Sequence, residues 1–63
     1  MRVLIEARVG ERLIVLYETL GRYITVGGTA ELVTDYELSS AFEAFHKAVE
    51  VAVMLTRFPN ARA

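Results

Sequence analysis

Between Gly10 and Gly21 lies ERLIVLYETL, and its centre, Leu13 to Tyr17, is five apolar residues in a row. Such a run is either a strand that needs cover on both faces or one flank of an amphipathic helix. As a strand it sends Leu13, Val15 and Tyr17 to one side and Ile14 and Leu16 to the other. As a helix, at about 100° per residue, Leu13, Ile14, Leu16, Tyr17 and Leu20 share an arc of about 160°. Glu11, Arg12, Glu18 and Thr19 then lie opposite, and Val15 alone is misplaced. The ends favour the helix: Gly10 suits an N-cap, Glu11 sits near the positive end of the helix dipole, and Gly21 falls where a left-handed C′ residue is expected. The sequence predicts a helix over 11–20, with a strand as the alternative.

The flanking segments are read around that choice. Residues 1–8, MRVLIEAR, alternate as a half-buried strand, with Met1, Val3, Ile5 and Ala7 on one face and Leu4 an apolar exception on the other. RYITVGGTAELVT reads as a hairpin turning on Gly27-Gly28, since glycine accepts the positive φ that a two-residue turn demands. The facing pairs would be Val26/Thr29, Thr25/Ala30, Ile24/Glu31 and Tyr23/Leu32. Apolar residues then occur on both faces, so a bulge or a second chain is implied. A phosphate loop is excluded, because Gly27-Gly28 lacks the P-loop spacing and the Lys-Ser/Thr that follows it.

LSSAFEAFHKAVEVAVMLTRF reads as a long helix. Two capping boxes compete for its start, Thr34-x-x-Glu37 and Ser40-x-x-Glu43, and Pro59 closes its end. Leu38, Phe42, Phe45, Val49 and Val53 form its bulky apolar face. Ala41, Ala44, Ala48, Ala52 and Leu55 extend that face as a stripe of mostly small residues. The fold expected is α+β: β-α-β-β-α, a three-stranded antiparallel sheet with two helices on one face. Residues 1–58 would be one domain and 59–63 a short tail.

Composition narrows the function. A chain of 63 residues buries only about 60% of its unfolded surface, so its core is small. There is no cysteine to staple it, yet hydrophobic content is 54%, above the usual 45–50% or so. Part of that apolar surface is expected to meet another chain. The seven basic residues are scattered and the net charge is −1, which argues against a protein that grips nucleic acid by itself. No secretory signal is apparent at Met1-Arg2, and the apolar run Val51 to Leu55 is too short to span a bilayer. A soluble, cytoplasmic protein is expected.

Candidate chemistry is sparse. His46 and Glu50 are one helical turn apart, with Glu43 nearly a turn back, but a third ligand is missing and all three belong to the solvent face. Exposed carboxylates there make poor general acids. Tyr17, Tyr23 and Tyr36 are of a type that stacks on bases, yet the core or sheet uses such residues too. No catalytic residue, metal or cofactor is expected. The alanine stripe is the more informative feature, because Ala41, Ala44 and Ala48 let another helix approach closely, whether from this chain or from a partner.

Val15-Leu16-Tyr17-Glu18-Thr19-Leu20, after an alternating strand, and TDYELSSAFEAFHKAVEVAV, a strand leading into a long helix, resemble the small dimerising subunit of the KEOPS tRNA-modification complex of archaea and eukaryotes. The resemblance covers nearly the whole chain. It implies a non-catalytic scaffold in a complex that makes threonylcarbamoyladenosine in tRNA. The partners implied are a homodimer or heterodimer mate from a paralogous small subunit and the catalytic threonylcarbamoyl-transferase subunit, with tRNA touched weakly or indirectly. Phe42 stands where the family commonly has an arginine, and Gly21 almost alone links helix to strand; both suit a shorter archaeal paralog. The residues expected to bind partners are Val15, Leu16, Ala41, Ala44, Ala48 and Leu55, with Ile24, Val26 and Val33 pairing sheets in a dimer. If 11–20 is a strand instead, the chain is a β-meander followed by one helix. That form resembles small dimeric single-stranded nucleic-acid binders, with Tyr17 and Tyr23 as stacking platforms.

Overall fold

The computed structural model describes residues 1–27 and 32–58. In it β1 (Arg2–Val9), β2 (Arg12–Thr19), β3 (Arg22–Val26) and β4 (Val33–Asp35) precede a helix α1 (Leu38–Arg57). The strands form one antiparallel sheet in the order β1-β2-β3-β4. The architecture is α+β with the order β-β-β-β-α. The expected β-α-β-β-α fold is therefore corrected: residues 12–19 are a strand, and among the described residues the sheet has four strands and one helix covers it.

The two glycines that suggested helix ends are hairpin turns. Val9 pairs with Arg12 across Gly10-Glu11, and Gly10 has φ 62°, as the first position of a type II′ turn requires. Thr19 pairs with Arg22 across Leu20-Gly21, both at positive φ (50° and 74°), the signature of a type I′ turn. Positive φ serves a helix C′ residue and a hairpin equally well, so the glycines mark chain reversal without saying which kind. Pairing on both sides decides it. β2 is hydrogen-bonded to β1 and to β3, so its backbone is paired along both edges, while α1 covers only the face that carries Ile14 and Leu16.

In β1 the register shifts between Val3 and Ile5. This bulge ends the simple alternation read from the sequence. Leu4, Ala7 and Val9 pack toward the core, whereas Val3 and Ile5 are exposed. The β3–β4 hairpin is also longer than expected. Tyr23 pairs with Asp35, Ile24 with Thr34 and Thr25 with Val33, not with Leu32, Glu31 and Ala30. Gly28 to Glu31, Pro59 and the expected tail 59–63 lie outside the described residues.

Neither capping box forms. Thr34 belongs to β4 and Ser40 to the first turn of α1, and Glu37 takes the N-cap position with no side-chain cap bond. The short link from Asp35 forces the chain to turn back over the sheet at once. Ala41, Phe45 and Ala52 of α1 are buried against Ile14 and Leu16 of β2, with Ala48, Val49 and Tyr23 packed around them. The small residues thus lie at the centre of the helix–sheet contact, where alanine allows close approach, and Leu38 and Phe42 are left partly exposed.

Candidate functional site

Strand register assigns every residue of β2 and β3 to a face. Ile14 and Leu16 lie under α1 and are fully buried. Their neighbours Leu13, Val15 and Tyr17 point the other way, where no described element covers them. Across the sheet on that open side run Val3–Tyr17–Ile24–Thr34 and Glu6–Val15–Val26, flanked by Arg8–Leu13 and Thr19–Arg22. The result is an apolar centre of half-buried Val15, Tyr17 and Val26 around Ile24, which is itself only 9% exposed. Val3 (50% exposed) and Leu13 (45%) widen it. Glu6, Arg8 and Arg22 stand at its margin. An apolar centre with a polar rim is the anatomy of a protein interface.

The residues expected to contact partners do not form one surface. Leu16 and Ala41 are fully buried inside this chain, so neither has surface to offer. Val15 is half-buried on the open face; Ala44, Ala48 and Leu55 are half-buried on the helix. Of the residues expected to pair sheets, Ile24 and Val26 lie on the open face, but Ile24 is only 9% exposed and Val26 half-buried. Val33 is the register partner of Thr25 and so faces the helix side, at the short β4 edge. The apolar character of the open face was visible in the sequence as the LIVLY run. The helix reading hid it by gathering those side chains onto one flank.

The remaining candidates separate as well. His46 Nε2 donates to Glu50 Oε1 at 2.8 Å on the exposed side of α1, with both side chains mostly in solvent. No group of three or more His, Cys, Asp or Glu among the described residues is placed to hold a metal. Tyr17 is on the open face and Tyr23 on the helix side, so they do not make one stacking platform. Among the described residues no helix is long and apolar enough to cross a membrane.

Comparison with protein-family models, curated proteins and solved structures gave no match to this chain.

Proposed function

We propose that this chain is a non-catalytic protein-interaction module that pairs with a second copy of itself, open sheet face to open sheet face. The observation that carries this is the apolar centre formed by Val15, Tyr17 and Val26 on the side of the sheet opposite α1, flanked by exposed Val3 and Leu13. Two sheets so stacked would be separated by about 10 Å, with their side chains interleaved. Strands of eight, eight, five and three residues, at about 3.3 Å per residue and about 4.8 Å apart, give a projected face of about 380 Å². Two such faces amount to roughly 750 Å² before corrugation is counted, under the roughly 1,000 Å² of a stable specific interface, so the pairing proposed is a weak one.

The KEOPS resemblance loses the half of its residues that required a helix at 11–20. What is retained from it is the general role: a partner-binding subunit with no chemistry of its own. The nucleic-acid reading matches the β-meander and single helix, but its two tyrosines lie on opposite faces.

Sedimentation equilibrium tests the pairing. The wild-type chain is expected to move from 7.0 kDa toward twice that mass as concentration rises. Val15→Glu places a charge in the centre of the face and should hold the chain monomeric. Leu13→Glu, nearer the margin, should weaken pairing while keeping the fold. A wild-type chain that stays monomeric to millimolar concentration sinks the proposal.

A further inference from the structure

Among the described residues the sheet has two edges, β1 and β4, and they are unlike. β4 is three residues long, too short to seat another strand firmly, whereas β1 runs for eight. β1 pairs with β2 along one side, and its other side carries free backbone groups. Such an edge is a template for a further strand unless lysine, proline or a bulge spoils it. β1 contains neither lysine nor proline, and its register shift lies between Val3 and Ile5, which leaves Glu6 to Val9 regular.

Register tells which backbone groups face outward. Val9 and Arg12 flank a two-residue hairpin turn, so each bonds to the other through both its N–H and its C=O. The direction of these groups alternates along a strand. Ala7 therefore bonds inward to Ile14, and the N–H and C=O groups of Glu6 and Arg8 point to the free edge. A second β1 laid antiparallel there bonds through the same groups, so Glu6 or Arg8 of one chain faces Glu6 or Arg8 of the other. Setting Glu6 on Glu6 or Arg8 on Arg8 opposes like charges, which is unfavourable across a ladder. Centring the twofold on Ala7 instead opposes Glu6 with Arg8 on both sides of it. Both side chains are exposed on the open side of the sheet and have no ion-pair partner among the described residues. On the helix side the same register sets Ile5, 42% exposed, against Val9.

We propose that β1 pairs antiparallel with β1 of a second copy, with the twofold on Ala7, so that two four-stranded sheets become one continuous sheet. This edge pairing rests on the face pairing proposed above and strengthens it. Roughly four backbone hydrogen bonds, two for each facing pair, and exposed ion pairs are too small a contact to hold two chains alone. Joined to face pairing they are enough. The continuous sheet offers twice the open face, so two such sheets stack on roughly 1,500 Å², above the roughly 1,000 Å² of a stable interface. The edge twofold stands normal to the sheet and the face twofold lies parallel to it, an arrangement that closes as a four-chain assembly.

The test is sedimentation equilibrium of the full chain, with amide hydrogen exchange followed at low and high concentration. The mass is expected to rise through twice the 7.0 kDa of the chain and on toward four times. The Glu6 and Arg8 amides should exchange at least about tenfold more slowly in the assembly. Face pairing alone leaves those two amides without partners. Arg8→Glu and Glu6→Arg, both surface changes, should each stop the mass at twice 7.0 kDa and keep both amides fast. Mixing the two variants opposes acid and base again between unlike chains and should restore the four-chain mass. A wild-type mass that stops at twice 7.0 kDa, with both amides fast, would overturn edge pairing and leave face pairing standing. A chain that stays monomeric would remove both. Charge variants that assemble like the wild type would overturn the pairing on Ala7.

Discussion

The two faces of β2 are nearly equal in hydrophobicity and opposite in fate. Ile14 and Leu16 lie under α1 with no exposure at all, whereas Leu13, one residue away, is 45% exposed. A single helix can cover one face of a four-stranded sheet and no more. The other face keeps a core-like composition without a core above it. The comparison teaches that apolar residues in a strand of this kind report two separate demands, one met within the chain and one left for a partner.

The sharpest way to break that contrast is to truncate each side in turn. Leu16→Ala should cost about 2–5 kcal/mol, the range for emptying a packed aliphatic site. In so small a domain that abolishes folding at ordinary temperature, and chemical denaturation followed by circular dichroism would show it. Val15→Glu should instead change the stability of the monomer by less than half as much and act on association. Equal losses from the two variants would mean that the open face is not a surface.

A smaller effect carries a sign. Leu20 sits at φ 50° and is 85% exposed, a position an L side chain adopts at a cost of roughly 1–2 kcal/mol. Leu20→Gly should therefore raise stability by about 1 kcal/mol, some 4–8 °C in Tm. Were residues 11–20 helical, the same change would lower stability by about that amount, since glycine disfavours a helix interior. Helix content makes the same distinction: α1 is 20 residues of 63, so far-UV circular dichroism should report about a third helix and not half.

The smallest expected effect is electrostatic. Arg2 Nη2 lies 2.9 Å from Glu18 Oε1 at the edge of the helix-side face, with the arginine side chain 70% exposed. Arg2→Gln should cost less than about 1 kcal/mol, and that cost should shrink further in high salt.

Several elements could be read directly from the residues. The strand character of residues 2–9 and the helix through Phe45, Val49 and Ala52 follow from local periodicity. Gly10 and Gly21 announce chain reversals, and both are at positive φ. The start of α1 was not legible. Thr34-x-x-Glu37 and Ser40-x-x-Glu43 both look like caps, but Thr34 is held in β4 and the helix begins at Leu38, which puts Ser40 inside its first turn. The free edge of β1 was not legible either. Which strand is left at an edge is fixed by the pairing order of the whole sheet, and no pattern within residues 2–9 states it.

The sequence alone determined that one strand-like start, one long amphipathic helix and more apolar surface than a single small core can hold would be present. It also marked Gly10 and Gly21 as the points where the chain turns. Only the tertiary structure decided that LIVLY is a strand. Its side chains satisfy a helical arc and a two-faced strand alike, and those readings differ in what must lie above and below them. β1 and β3 on either side supply the hydrogen bonds, and α1 supplies the cover for Ile14 and Leu16. Those contacts come from the strands on either side and from a helix that begins at Leu38, so no local pattern within residues 11–20 contains them.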